Sequence, residues 1–501
     1  MLNNRVSVIE VLGEESRKTG AFTRGNVLEP YPAECIAAAA EDAGFEVEVI
    51  QIGASSDEEI VARIIGFNPF CVGMTTFTYS VAHAQKLAKM ITSALPNVIV
   101  VAGGYHPSLS PETVLEESEI DFCVIGEGEI TFCELLSETM SDQNWAKIKG
   151  IAYKIDGKTI ITEPRERVRD LDILPWAKRS ECYLKAAGHF GPAYPSLDHQ
   201  VAVAEVSCSR GCHGVCTFCV SSVMMNDRHG IKPGSECSVT LRSPQNVAKE
   251  MRHLLSTFGV NLCYLTDLTF NHSVKRVKAI CQALIDEGLH FGNEMDSVHT
   301  SDNMHWYCLA KVGIDEETAN LMALAGCSKL GMGVETFTEA QAVAYGKTWR
   351  GIDQVRNSLL ALDRAGIITR ALMVLGAPNE SEETVDEIIR GLCQNPVDQV
   401  RVSFLTPFPG TRIAGMLDDS EIIEKDWSQW DTDHPVVRCK LSKDELVAAR
   451  ARIGREFYGS PEYKERCCRK IERFPWLRES YRWWADYLHT SKVADIREAI
   501  V

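Results

Sequence analysis

The residues most able to do chemistry lie in one short run, Cys208-Ser209-Arg210-Gly211-Cys212-His213-Gly214-Val215-Cys216-Thr217-Phe218-Cys219. Thiolates three to four residues apart can wrap one compact metal centre without long excursions of the chain. All four would suit zinc or a fully ligated iron–sulfur cluster. Three would leave one iron of a [4Fe–4S] cluster open to a substrate or cofactor. A second group, Cys467-Cys468, follows Arg466. Adjacent thiols form no ordinary unstrained disulfide. They can hold a soft, thiophilic atom or donate to a radical, so Cys467 and Cys468 are candidate catalytic residues.

The elements that must position these residues read as two strand–helix series. Residues 1–145 alternate the β-branched runs VSVIEVLG, VEVIQIG, CVGMTTF, VIVVAGG and FCVIGEG with helical patterns such as ECIAAAAEDAGF and SVAHAQKLAKMITSAL. That alternation, with Gly at strand ends, predicts a Rossmann-like, doubly wound parallel sheet in an α/β protein. Its ligand crevice should lie at the carboxyl ends of the strands. Gly103-Gly104-Tyr105-His106-Pro107 and Gly126-Glu127-Gly128-Glu129 end two of these strands. Residues 146–195 read as a linker with a hairpin through Asp156-Gly157. Residues 196–420 hold six further strand candidates: VAVAEVSC, LCYLTDL, the region of MHWYCLAKV, KLGMGVE, TRALMVLG and QVRVSFLTP. Six such units predict a partial (β/α)6 TIM-like barrel with chemistry at the strand carboxyl ends. Residues 421–501 are helical and rich in tryptophan, which predicts a small C-terminal helical cap.

The spacing Cys212-x3-Cys216-x2-Cys219, on a loop after the first barrel strand, resembles the signature of the radical S-adenosylmethionine superfamily. The rest of the chain resembles its branch with an N-terminal cobalamin-binding domain. Ser209-Arg210-Gly211-Cys212 resembles that branch's run into the cluster loop, and Leu241-Arg242-Ser243-Pro244 the segment before its next helix. Gly376-Ala377-Pro378-Asn379-Glu380-Ser381 resembles its Gly-x-Pro-Gly-Glu-Thr turn. Asn379 replaces the second Gly there and tolerates a left-handed backbone. Thr406-Pro407-Phe408-Pro409-Gly410-Thr411 is similar to its last-strand motif.

The resemblance implies that Cys212, Cys216 and Cys219 ligate a [4Fe–4S] cluster, with Cys208 a small packed residue. It implies that the open iron binds S-adenosylmethionine. Phe218 then occupies the branch's aromatic position, Asp267 meets the amino group of S-adenosylmethionine, and Glu335 accepts from its ribose. Thr75, Gly103, Gly104, Gly126 and Glu127 would surround cobalamin. The chain lacks the Asp-x-His-x-x-Gly motif that supplies a lower histidine ligand in other cobalamin proteins, and His106 reads as a structural loop histidine. The Arg466-Cys467-Cys468 run only partly matches a tail of the branch, because Arg469-Lys470-Ile471 follows it. A polar insertion at 290–306, with His290, Glu294, Asp296, His299 and His305, reads either as a wall of the substrate site or as a solvated loop.

The expected activity is cobalamin-dependent methylation of an unactivated carbon. The alternatives are a ring-forming or rearranging radical reaction without methylation, and transfer of a 3-amino-3-carboxypropyl group to a soft acceptor such as As(III) on Cys467 and Cys468. A non-catalytic zinc or cobalamin carrier is the reading outside enzymology. The net charge of −17 disfavours nucleic acid as a partner. It points instead to a small molecule or peptide substrate, and the resemblance implies an electron donor such as flavodoxin or ferredoxin. No apolar run reaches the roughly 20 residues of a membrane span. The N-terminal MLNNRVSVIEVLGEE has no signal-peptide layout, so a cytoplasmic location is expected. There the 18 cysteines would be mostly reduced.

Overall fold

A computed structural model describes residues 3–13, 29–51, 55–179, 203–225, 238–290, 304–347 and 351–500. The first sheet has seven strands in the order β2-β1-β3-β4-β5-β6-β7. They are β1 Arg5–Glu10, β2 Glu46–Gln51, β3 Cys71–Thr75, β4 Ile99–Gly103, β5 Phe122–Val124, β6 Ile151–Ile155 and β7 Lys158–Ile161. β1 to β5 are parallel. Helices α1 Tyr31–Asp42, α2 Asp57–Phe67, α3 Val81–Ala94 and α6 Gly128–Thr139 cover the two faces, with two short helices, α4 Tyr105–Leu109 and α5 Pro111–Leu115, between β4 and β5. β3 is buried along its whole length. Burial on both faces of a central parallel strand is why its sequence, CVGMT, does not alternate with polar residues.

The predicted hairpin exists but does not stand apart as a linker. β6 pairs antiparallel with β5, and β7 with β6, so the hairpin extends the first sheet. The apolar side chains Ile151 and Tyr153 join that sheet's core and account for the attachment.

The second sheet has six parallel strands in the order β15-β14-β13-β12-β11-β8. They are β8 Val203–Val206, β11 Leu262–Leu265, β12 His305–Ala310, β13 Cys327–Glu335, β14 Ile368–Leu375 and β15 Gln399–Phe404. All six predicted strands are present, and β8 and β15 are its two edges, which makes the barrel an open one. A small ladder of β9 Ser209–Gly211 with β10 Val239–Leu241 stands on the cysteine loop.

Helices α7 Val220–Met225, α8 Pro244–Phe258, α9 Val274–Asp286, α10 Glu316–Leu324, α11 Glu339–Ala344, α12 Ile352–Arg364 and α13 Glu382–Gln394 follow the strands. Local chemistry explains the limits of α8. Ser243 caps its start by accepting from the Asn246 N–H at 3.2 Å, Pro244 fills the first turn, and Gly259 closes it in a left-handed conformation. Its Val247, Met251 and Leu254 form one buried stripe in the barrel core. Each such side chain contributes about 1.5–3 kcal/mol on leaving water.

Of the C-terminal helices, α14 Lys443–Gly459 runs along the edge strand β15, from Arg450 over the Phe404 ring to the Tyr458 hydroxyl at Val400, and α15 Pro461–Arg473 and α16 Arg478–Thr490 pack at the amino end of the barrel. The fixing point is Asp398, just before β15. Its backbone oxygen accepts from the Tyr463 hydroxyl at 2.9 Å, and Lys470 Nζ lies 2.7 Å from its Oδ2. Ahead of these helices, Trp427 packs on the first sheet's core and meets the ring of His106 edge-on at 4.3 Å. No helix among the described residues is long and apolar enough to cross a membrane.

Candidate functional site

The cysteine run leaves the carboxyl end of β8 and is held from several sides. Arg242 N–H donates to the Cys208 carbonyl at 3.0 Å. The Thr217 N–H donates to the Tyr345 carbonyl at 3.0 Å, and the Ile413 N–H to the Thr217 carbonyl at 2.9 Å. The Thr217 hydroxyl donates to the Ala344 carbonyl, also at 3.0 Å. Within the loop, Gly214 N–H donates to Cys212 Sγ at 3.2 Å, and Thr269 Oγ1 lies 3.3 Å from the same sulfur. A Cβ on Gly214 would stand 3.2 Å from Cys212 Sγ and 3.8 Å from Cys216 Sγ, so glycine leaves the room between the two sulfurs. Cys212, Cys216 and Cys219 are all half-buried. Burial raises the Cys216 thiol to about 11, against the pull of Lys347. A bound metal would supply positive charge that favours its thiolate. Soft, half-buried donors on one loop fit an iron–sulfur cluster. Cys208 is different, being fully buried in the barrel core.

Beside this loop lies an ion pair that the sequence did not reveal. Lys347 Nζ is 3.0 Å from Glu335 Oε1, and the two side chains are only 10% and 12% exposed. Burial opposes the lysine's charge, but Glu335 and Cys216 outweigh it and hold the ammonium above its ordinary range. Glu335 ends β13 with φ 66, where its pairing to β14 slips by a residue. A non-glycine residue held left-handed stores about 1–3 kcal/mol, a cost concentrated at functional sites.

A cavity of about 260 Å³ opens between the two sheets. Thr75, Gly103, Gly104, Gly126 and Glu127 line it, as expected from the sequence, at the carboxyl ends of the first sheet. Ser207, Arg210 and Thr266 line it from the barrel. Its glycines are needed for space. At Gly104, where φ is +103, a Cβ would come within 2.9 Å of the Thr76 oxygen, and one at Gly128 would come within 2.8 Å of Ile36 Cδ1. A largely apolar, glycine-walled cradle fits an organic cofactor with a large face. His106 does not enter it as a ligand. Thr78 Oγ1 and Thr113 Oγ1 stand 3.2 and 3.1 Å from its two ring nitrogens, and burial lowers its pKa to about 4.

The remaining candidate residues lie as follows. Asp267 is 1% exposed, and it accepts from the Cys208 N–H at 3.1 Å and from the Ser209 hydroxyl. It anchors the start of the cysteine loop from beneath and presents no surface to the amino group of S-adenosylmethionine. Burial raises it to about 6, with those hydrogen bonds opposing. Phe218, at the aromatic position of the cysteine run, is half-buried and packs edge-on against Tyr345 at 5.4 Å, in a cluster with Val374 and Ile413. Cys467 is buried on α15 at the amino end of the barrel, opposite the cysteine loop, and burial raises its thiol to about 12. Its neighbour Cys468 donates to the Ala499 carbonyl at 2.8 Å. Cys467 is thus packed in the core at the end of the strands away from the cysteine loop. His305 likewise opens β12 at its amino end, and residues 291–303 lie outside the described residues.

Residues 17–136 match the model of the B12 binding domain family, and residues 206–392 that of the radical SAM superfamily. The chain is a radical S-adenosylmethionine enzyme with an N-terminal B12-binding domain. Its cofactors are a [4Fe–4S] cluster, S-adenosylmethionine and cobalamin. An uncharacterized methyltransferase of Pyrococcus horikoshii is 26% identical over 85% of this chain and 84% of its own length. The anaerobic magnesium-protoporphyrin IX monomethyl ester cyclase of Cereibacter sphaeroides is 25% identical over 85% of this chain and 64% of its own. The same fold is found in the cobalamin-dependent S-adenosylmethionine radical enzyme OxsB, solved with aqua-cobalamin and S-adenosylmethionine. That likeness has a TM-score of 0.70 at 16% identity, over 98% of this chain and 75% of that one.

Proposed function

We propose that this enzyme is a cobalamin-dependent methyltransferase that methylates an unactivated carbon of a small molecule or peptide. The observation that carries the reading is the shared cavity: the carboxyl ends of both sheets wall one space, with the cysteine loop at its edge. The relative described as a methyltransferase, matched along most of both chains, supports it.

Cys212, Cys216 and Cys219 would hold the cluster through three of its irons, leaving the fourth for S-adenosylmethionine. Lys347, held charged beside Cys216, is placed for the carboxylate of that ligand, and Glu335 for a hydroxyl of its ribose. Thr75 and the glycines 103, 104, 126 and 128 form the corrinoid cradle, where backbone can approach closely. The apolar wall formed by Val8, Ile36, Val101, Val124 and Phe132 keeps water from that space. With these groups bound, the cluster supplies the electron for carbon–sulfur cleavage and the corrinoid carries the methyl group. An external donor of the flavodoxin or ferredoxin class would reload the electron.

Anaerobic incubation with S-adenosylmethionine, hydroxocobalamin, a reductant and the substrate tests the reading. Methylation yields S-adenosylhomocysteine together with 5′-deoxyadenosine. A second reading, a ring-forming radical reaction, is favoured by the relative described as a cyclase. It predicts 5′-deoxyadenosine without S-adenosylhomocysteine.

A further inference from the structure

The first sheet touches the cysteine loop at both of its ends. On the leading side, Arg210 stands two residues before Cys212, and its guanidinium lies against both carboxylate oxygens of Glu129, in the first turn of α6. Arg210 Nη1 is also 3.6 Å from Glu127 Oε1. Arg167 backs this pair. It donates to the carbonyls of Arg210 and Ser238 at 2.9 and 3.0 Å, and its Nε lies 3.9 Å from Glu127. Burial works against both charges of the Arg210–Glu129 pair. Their attraction outweighs it, raising the guanidinium and lowering the carboxyl. On the trailing side, α4 packs against α7, which begins at Val220 directly after Cys219.

These two contacts spring from the loops that wall the cavity, and one side chain ties those loops together. Ser108 Oγ donates to the Gly104 carbonyl at 2.7 Å and accepts from the Gly126 N–H at 3.0 Å. Gly104 and Gly126 both line the cavity. An occupant that orders one loop therefore orders the other, and with them both flanks of the cysteine run.

We propose that filling the corrinoid cavity and loading the cysteine loop are energetically coupled through the Glu129–Arg210 ion pair and the packing of α4 on α7. The inference rests on the cofactor assignment above. It gives the Gly126-Glu127-Gly128-Glu129 motif a second role, because Glu127 and Glu129 position the cluster loop as well as lining the cavity. Glu129 is a positioning residue, acting through Arg210. By linkage the coupling is reciprocal, so each ligand raises affinity for the other by the same factor.

Hydroxocobalamin titrated into the full-length chain, followed by its visible absorbance, with and without a reconstituted cluster, measures that factor directly. The coupling predicts at least about fivefold tighter binding to the cluster-loaded chain, the lower end of ordinary coupling between sites. Glu129→Gln, which removes the ion pair at nearly constant side-chain size, should bring the ratio well below the wild-type value. Equal affinity in the two wild-type states overturns the proposal, as does a full ratio in Glu129→Gln. Failure of the wild-type chain to take up cluster or hydroxocobalamin at all would instead overturn the cofactor assignment.

Discussion

The N–H of Thr217, inside the cysteine run, donates to the carbonyl of Tyr345 at 3.0 Å, across a stretch of sequence that holds the barrel strands β11, β12 and β13. Two residues beyond Tyr345, Lys347 reaches Glu335. The segment after α11 thus seats the loop and delivers the cation beside it, so ligands and charge are set by one backbone contact.

That seat makes Gly346 a sensitive position. Its φ is +68, and a Cβ there would stand 2.6 Å from the Val215 oxygen and 3.5 Å from Cys216 Cα. Gly346→Ala should cost about 1–2 kcal/mol for the left-handed backbone alone, and it should push the loop out of place. The expected outcome is a lower thermal midpoint and reduced iron after reconstitution. Full iron retention would mean the contact does not position the cysteines.

The cysteines divide into two kinds. Cys216→Ala should drop iron well below about four per chain and abolish cleavage of S-adenosylmethionine, with an unchanged circular dichroism spectrum. Cys208→Ala should keep its iron and lose about 1 kcal/mol of stability through the core vacancy. Iron analysis of the two variants side by side separates a three-thiol site from a four-thiol one.

The C-terminal thiols should prove dispensable for chemistry. Cys467→Ala is expected to cleave S-adenosylmethionine at the wild-type rate while losing about 1–2 kcal/mol in denaturant unfolding, because it truncates a packed side chain. Cys468→Ala should match wild type in activity. A specific loss of turnover in either variant, with the fold intact, would return them to the reaction.

His106 predicts how stability depends on pH. Its folded pKa is about 4 against the usual 6.5. The unfolded chain binds the proton first, so the contribution is fully present above pH 6.5. It declines as the pH falls, and is lost by about pH 4. The size is on the order of 3 kcal/mol, from about 1.36 kcal/mol per unit. His106→Gln should flatten this part of the stability profile, measured by urea unfolding between about pH 4 and 7. A variant that declines as steeply as wild type would place the effect elsewhere.

The strands were legible because central parallel strands are continuous β-branched runs, as in CVGMT and VIVVAGG, closed by glycine. The hairpin could be seen through Asp156-Gly157, but its attachment to β5 could not, since strand partners are not encoded locally. The cavity walls were readable for the same reason as the strands: Gly103, Gly104 and Gly126 end them. What escaped notice was long-range. Arg210 and Glu129 are 81 positions apart, and neither carries a mark naming the other. Asp267 misled because a carboxylate at a strand end reads the same whether it faces a ligand or, as here, the loop's own backbone. Cys467 and Cys468 misled because the type of a residue does not say which end of a barrel it occupies.

In the proposed reaction the chemistry begins at a cluster that Cys212, Cys216 and Cys219 would hold with one iron left open. Paramagnetic resonance of the reconstituted, reduced protein tests this most directly, recorded before and after addition of S-adenosylmethionine. The expected result is a [4Fe–4S] signal whose line positions shift when S-adenosylmethionine binds the open iron. A spectrum that does not respond, or a metal bound by all four sulfurs including Cys208, would contradict it.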